Sequence, residues 1–384
     1  MKLAHLADLH LGKQVNGFSM MEDQRYILDE IIGIIRQEEA DAVLISGDVY
    51  DKPVPPAEAV TIFDDFLDRL SEMGKEVLII SGNHDSAERL AFASRLLDRS
   101  GVHISPVYNG HISPVTLKDD YGEVDFWLLP FLKPVHVRRF IEDEEEREQV
   151  KSYDQALAYV ISRLPVDPGK RNVLLTHQFI TGAKTSDSED LSVGGIDHVE
   201  ADHFGSFDYT ALGHIHRPQK ARGEYIRYSG SPLKYSFSEA EKEKSVPIVE
   251  LKEKGHISLQ LHPLSPLHDL KEIRGPYEEV TEKSFYEREN LQSCYVRVTL
   301  TDEDDIPDAL GKLRLIYPLL MRLDYDNART RSQQEISGEE TSEKKPPEEL
   351  LEDFYKLQNN QDMNERQKKI AEQCMEKVFG GEEA

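Results

Sequence analysis

Five short apolar runs, at residues 3–7, 42–45, 77–80, 173–175 and 209–212, are bounded by Gly, Ser and acidic residues and predict buried strands. Between and around them the apolar positions take helical spacing: Ile27, Leu28, Ile31, Ile32, Ile35; Ile62, Phe63, Phe66, Leu67, Leu70; Leu90, Ala93, Leu96, Leu97; and Ala156, Leu157, Val160, Ile161, Leu164. Strands alternating with such helices predict crossover units and a layered α/β body. From about Tyr225 the pattern turns to extended pieces at 225–228, 246–251 and 256–262, the last two joined at Lys254-Gly255 as a hairpin, which predicts a second sheet packed on the first.

Residues 263–282 carry prolines, charge and little periodicity, which marks a boundary. Beyond it, 295–301 alternates like a strand, 306–315 is helical and 320–325 alternates again, a compact β-α-β piece. Residues 328–347 have no apolar period and read as a flexible linker. After Pro346-Pro347, one helical stripe is formed by Leu350, Leu351, Phe354 and Leu357 and a second by Met363, Ile370, Cys374, Val378 and Phe379. The expected division is thus a main domain at 1–270, a small α/β domain at 271–330, a linker at 331–347 and a helical tail at 348–384. The tail helices either dock on their own domain or fill a partner's groove, and the tether before them favours the partner.

Composition narrows the class. The 384 residues carry 46 Lys and Arg against 72 Asp and Glu, a net charge of −26, which argues against general electrostatic binding to nucleic acid but not against local contact. Part of the acidity sits at 142–148, a solvated helix by pattern. Arg217, Lys220, Arg222, Arg227 and Lys234 form a local basic run opposed only by Glu224, and Lys133, Arg138 and Arg139 form a smaller one. Each is either a solvated face or a phosphate contact. Cys294 and Cys374 lie far apart and read as small apolar residues, giving no disulfide scaffold or zinc-thiolate site. No stretch is long enough to span a membrane, and a strand beginning at residue 2 leaves no room for a leader, so a cytoplasmic protein is expected. No Gly-Lys-Ser or Gly-Lys-Thr occurs, so any ATP control has to come from another polypeptide.

The five strand runs share a further property: each ends in a metal-binding residue type, at Asp8-Leu9-His10, Gly47-Asp48, Asn83-His84-Asp85, Thr176-His177 and His214-Ile215-His216. One such residue would mean only a helix cap or a satisfied loop. Five together, at the carboxyl ends where α/β sheets place their ligand crevice, predict a dinuclear metal site. Asp, His and Asn without Cys suit Mn²⁺ foremost, with Mg²⁺, Fe²⁺ or Zn²⁺ as alternatives. Two ions need a shared anion to offset their repulsion, and Asp48, directly after a strand and Gly47, is the expected bridge; such a pair activates water and clamps phosphoryl oxygens. Asn83 is expected to bind metal while His84 serves the leaving oxygen. Asp85 either orients His84 or caps a helix over 86–97, and Asp51 reads as a supporting or turn residue.

The segments DLH, GDVYD, GNHD, TH and GHIH, in that order, resemble the calcineurin-like metallophosphoesterase superfamily, and HLADLHLGK, GDVYDKPVPP and YSGSPLKYSFSE resemble its bacterial nuclease subunits. The phosphoesterase motifs cover about the first 235 residues, and the looser likeness to the nuclease subunits continues to about residue 330. The resemblance implies a two-sheet α/β sandwich flanked by helices, with a small capping domain that positions DNA and a C-terminal helical tail. It implies one metal held by Asp8, His10, Asp48 and His216, a second held by Asp48, Asn83, His177 and His214, and His84 as the catalytic histidine. It also implies Mn²⁺-dependent 3′ to 5′ exonuclease action on duplex ends, endonuclease action on single strands and hairpins in DNA repair, recombination and replication, and a coiled-coil ATPase of the SbcC type bound by the C-terminal helices. The assembly implied is a homodimer within a heterotetramer. Archaeal and eukaryotic relatives place a histidine where this chain has Asp51, which leaves that position open. The competing readings are a phosphomonoesterase or cyclic-nucleotide phosphodiesterase on the same metal core, and a non-catalytic scaffold. Against the first, Asp51 is followed by Lys52 and the third motif ends in Asp85, where phosphoprotein phosphatases carry Arg and Glu.

Overall fold

The computed structural model describes residues 1–189, 197–304, 306–328 and 330, and beyond these 355, 363–364 and 366–371. The expected linker and most of the expected tail, including Leu350, Leu351, Phe354, Leu357, Cys374, Val378 and Phe379, lie outside the described residues. Two compact units are formed, Met1–Leu270 and Lys271–Ala384.

The first unit holds two six-stranded sheets. In one, Lys2–Leu6, Ala42–Ser46, Glu76–Ile80 and Val102–Ile104 run parallel, and the hairpin Lys244–Leu251 and Ile257–Leu264 adds antiparallel to Lys2–Leu6. In the other, Ile226–Tyr228, Tyr209–Gly213, Arg171–His177 and Gly122–Leu129 run parallel, with Gln219–Arg222 and Val115–Asp119 antiparallel at the edges. The expected second sheet exists, but its membership differs. The 246–262 hairpin joins the first sheet, because Leu3 pairs with Val249 and the two continue one apolar face. Two of the five ligand-bearing runs belong instead to the second sheet.

Leu3, Leu44, Leu78, Ile80 and Val249 face Phe126, Leu128, Val173, Leu175 and Ala211 across the interior. Each large aliphatic side chain buried in this way contributes about 1.5–3 kcal/mol of transfer free energy. The outer faces are also covered, which is why these parallel strands read as continuous apolar runs rather than alternating ones. Helices Met21–Gln37 and Ala57–Glu72 cover the first sheet, burying Ile27, Ile31 and Ile35 and Ile62, Phe66 and Leu70. On the second sheet, Trp127, Leu129, Leu174 and Leu212 pack with Ala156, Leu157 and Val160 of helix Tyr153–Ile161.

The helix expected over 86–97 is not continuous. It is two four-residue pieces, Ala87–Leu90 and Ser94–Leu97, broken at Ala93, whose φ is 59°. Its apolar spacing misled because Leu96 is exposed rather than packed. The acidic stretch does form a helix, Glu144–Gln149, with no buried residue. No helix among the described residues is long and apolar enough to cross a membrane.

The second unit carries a three-stranded sheet of Leu270–Gly275, Tyr295–Leu300 and Leu320–Tyr325, the last two parallel. Helix Ala309–Ile316 connects that pair, and Leu313 packs with Val296, Val298 and Leu320. Pro307 and Asp308, the latter at φ 50°, delay the helix start past Ile306. Cys294 is buried in the same core, as its apolar reading requires.

Candidate metal centre

The carboxyl ends of strands from both sheets meet at one place. Ser46 closes the strand Ala42–Ser46, and its carbonyl accepts from His177 Nδ1 at 2.8 Å while its hydroxyl donates to Ala211 of the other sheet at 3.1 Å. Gly213 is required by this approach, since a Cβ there would lie 1.9 Å from the Ser46 carbonyl oxygen. Gly47, at φ +90°, would drive a Cβ to 2.4 Å from His177 Nδ1. Four ligand-type residues themselves adopt left-handed backbone, Asp8, His10 and Asp48 at φ 54°, 44° and 50°, and His214 at φ 99°. Each such non-glycine conformation costs roughly 1–3 kcal/mol and persists where the surrounding structure fixes it. The sharp turns aim all four side chains back over the strand ends.

The donor atoms converge. His10 Nε2 lies 2.9 Å from His216 Nε2 and 3.7 Å from Asp48 Oδ2. His177 Nε2 is 3.2 Å from Asp48 Oδ2 and 3.0 Å from Asn83 Oδ1, which lies 2.9 Å from His214 Nδ1. Asp8, His10 and His216 form one cluster with ligand atoms within 4.8 Å of one another, and Asp8, Asp48 and His177 form another. Two nitrogens bound at about 2.1 Å to one ion, at angles of roughly 90–110°, are separated by about 3.0–3.4 Å, so the observed spacings fit ligands shared by an ion. His10 Nδ1 is buried without a hydrogen-bond partner and lies 3.8 Å from Asp51 Oδ1.

Protonation follows from burial and charge. Burial, with His177 and His10 adding to it respectively, drives His214 down to about 3 and His216 well below its ordinary value. His10 is likewise held low by burial. These rings are therefore neutral, the form that ligates. Burial would raise Asp48, but His177 and then His10 hold its carboxyl well below the usual range. Burial opposes the charge on His177, yet Asp48 and Asp8 carry it up to about 9. Burial, reinforced by the Asp48 charge, pushes Asp8 up to about 8. Cations bound here would displace protons from His177 and Asp8 at neutral pH.

His84 stands at the opening of this cluster, half-buried, its ring centre 4.8 Å from that of His10. Its backbone N–H donates to Asp48 Oδ1 at 2.9 Å, and Nδ1 donates to the Asp51 carbonyl at 3.0 Å. Asp85 takes neither expected role. Its carboxylate accepts from the backbone N–H groups of Gly82, Val49 and Tyr50 at 2.9, 3.2 and 3.0 Å, tying the Asp48 loop to the Asn83 loop, while Ser86 caps the short helix. Asp51 pairs with Lys13 at 2.8 Å and supports His84 through its main chain.

Several supporting residues escape sequence reading. Gln24 donates to the His10 carbonyl at 2.8 Å and accepts from Gly12 at 3.0 Å, which fixes the His10 turn. Behind His216 lies a buried chain: Nδ1 donates to Ser188 Oγ at 2.6 Å, which donates to Glu239 at 2.6 Å, which pairs with fully buried Lys244. Glu239 and Lys244 sit in a run of charged residues that looks like solvated surface, so only three-dimensional contact reveals them.

The basic run divides. Arg227 is corrected from a DNA contact to an interior residue: it lies on the second sheet, 6% exposed, close enough to His5 for its charge to join burial in lowering that ring to about 3. Lys234 is held by the Ala240 carbonyl at 2.6 Å and Asp269 at 2.7 Å. Lys220 pairs with Glu224 and Arg222 with Asp202, both exposed. Arg217, adjacent to His216, makes no ion pair among the described residues.

Residues 1–218 match the family model described as calcineurin-like phosphoesterase, and residues 266–359 match one described as type 5 capsule protein repressor C-terminal domain. The chain is 33% identical over 374 residues to a protein of Staphylococcus epidermidis whose name makes it the SbcD component of nuclease SbcCD, covering 96% of each. It is also 33% identical over 382 residues to the protein of that name from Staphylococcus saprophyticus, covering 98% of each. Among solved structures it resembles a dimetal phosphatase from Danio rerio, with 12% identity, a TM-score of 0.45, and coverage of 68% of this chain and 96% of that one.

Proposed function

Because the chain belongs to the calcineurin-like phosphoesterases and, within them, to the SbcD components of SbcCD nucleases, we propose that it hydrolyses DNA phosphodiester bonds as the nuclease component of an SbcC-type complex. The observation that carries this reading is the convergence of Asp8, His10, Asp48, Asn83, His177, His214 and His216 from strand ends of both sheets. We assign Asp8, His10, Asp48 and His216 to one ion and Asp48, Asn83, His177 and His214 to the other. The ion is Mn²⁺ by preference, because the set is imidazole, carboxylate and amide oxygen without thiolate. The substrate range we infer is 3′ to 5′ removal from duplex ends and endonucleolytic cutting of single strands and hairpins, in the cytoplasm.

The chain's own residues divide the work. Two divalent ions, when bound, polarise the phosphoryl oxygens and supply an activated water. Asp48 would supply the negative charge that offsets the repulsion of the two ions. The Asp51 carbonyl accepts His84 Nδ1–H in both protonation states of the ring, so the proton that moves is the one on Nε2, delivered to the departing sugar oxygen. The His84 N–H bond to Asp48 keeps that proton donor in register with the metal ligands.

The test is cleavage of labelled duplex and hairpin DNA with Mn²⁺, beside a small chromogenic phosphomonoester, with and without an SbcC-type ATPase. DNA cleavage far exceeding monoester turnover supports the reading; the reverse makes the protein a phosphomonoesterase. For DNA contact, Arg217→Ala is expected to shallow the slope of log affinity against log salt by about 0.9, the value for one lost phosphate contact. An unchanged slope returns Arg217 to a solvated role.

The partner is held, on this reading, by the helical tail. Removing residues 346–384 is expected to leave metal content unchanged and to abolish stable association with the SbcC-type ATPase. Copurification at full stoichiometry would move the docking surface elsewhere.

A further inference from the structure

Beside the metal ligands Asn83 and His214, a cavity of about 160 Å³ opens among Phe131, Tyr153, Phe179 and Gln178, with Lys133 and Asp197 also on its wall. Its volume is well below the about 300–1,000 Å³ typical of sites for drug-sized ligands, so it admits one ring system rather than a whole nucleotide. Aromatic faces surround that space. Phe131 stacks on His214 at 6.4 Å with 20° between the planes, lies 6.0 Å from Tyr153, and faces Phe179 across the His214 ring, itself 6.4 Å from Phe179.

Gln178 directly follows the ligand His177 and is 2% exposed, and its side-chain amide makes no hydrogen bond among the described residues. Its backbone is fixed, since the Gln178 carbonyl accepts from the Tyr228 hydroxyl at 2.9 Å. The residue lines the cavity, so its amide is available to a ligand with a donor and an acceptor on one edge. Asp197 makes the wall unfavourable for a second phosphate and suits an amine donor, whereas exposed Lys133 suits a neighbouring phosphate.

We propose that this cavity receives the nucleobase of the nucleotide whose phosphate is cut, stacked against Phe131 and Tyr153 and held at its edge by the Gln178 amide. The proposal rests on the nuclease reading above and adds the feature that seats each nucleotide in turn. An amide pairs bidentately with a base edge carrying both a donor and an acceptor, and an aromatic wall accepts every base by its face. The site therefore senses the presence of a base more than its identity.

The experiment uses the full-length protein with Mn²⁺ and a labelled oligonucleotide in which one residue is replaced by a stable abasic analogue. Wild-type protein is expected to cut at the abasic residue roughly tenfold more slowly than at the same bond with its base, the size of one lost stacking contact. In Tyr153→Ala, which alters a half-buried residue outside the metal-bearing strands, the two rates become equal, and in Gln178→Leu, which keeps the aromatic wall, the difference narrows. Equal rates in the wild type, or discrimination retained in both variants, overturn the base pocket while leaving the nuclease reading intact. Failure of the wild type to cut either oligonucleotide overturns the nuclease reading itself.

Discussion

His84→Gln is expected to keep both metal ions and to slow strand cleavage by about 10²–10⁴-fold, the range for loss of a positioned general acid. Gln preserves the size of the side chain and leaves the main-chain bond from residue 84 to Asp48 in place, so the loop geometry should survive. What disappears is a group that can give a proton to an alkoxide. Metal content and single-turnover cleavage, measured on the same preparation, check this. A specific outcome would sink it: His10, Asp48 and His84 also lie within ligand-sharing distance of one another, so a variant that loses its ions would make His84 a ligand rather than a proton donor.

Asp48→Asn is expected to empty at least one site and to reduce Mn²⁺ affinity by more than the 10–100-fold typical of residues that only support a ligand. Asp48 lies 3.2 Å from His177 and 3.7 Å from His10, which the assignment proposed above puts in different ligand sets. A neutral amide keeps the shape and removes the negative charge between two cations. It also removes the partner that raises His177, so in the metal-free variant that ring should titrate below about 9. Full occupancy of both sites in the variant, measured by metal analysis after dialysis, would exclude Asp48 as the bridge.

The site was legible in the sequence because its chemistry sits at strand ends, where a short apolar run stops at a polar residue that has no reason to be there. Asp8 directly follows its run, and Asp48, Asn83 and His214 lie within three residues of the ends of theirs. What the rule could not supply was the assignment of strands to sheets: the run at 173–175 and the run at 209–212 look like those at 42–45 and 77–80, yet they lie in the opposite sheet. The strand Gly122–Leu129 escaped notice because it ends in Leu129-Pro130, with no metal-binding residue to mark it. Arg227 was misread for a related reason. Sequence proximity to His216 suggested a phosphate contact, but in a strand buried on both faces its side chain has nowhere to turn except inward. Asp85 shows a subtler limit, since a carboxylate beside a histidine invites a side-chain role, and two of the three backbone N–H groups it accepts come from a loop distant in sequence.

The ligand-type residues run from Asp8 to His216, and the turns that aim them are held by contacts between the two sheets. During synthesis this makes the protein's danger to its own cell self-limiting. A nascent chain that has not yet emerged past Gly213 lacks His214 and His216, and without the second sheet Ser46 has neither His177 nor Ala211 to hold the end of its strand beside Asp48. A broken or stalled translation product therefore lacks part of the ligand set, and the complete centre arrives late, with the finished sandwich.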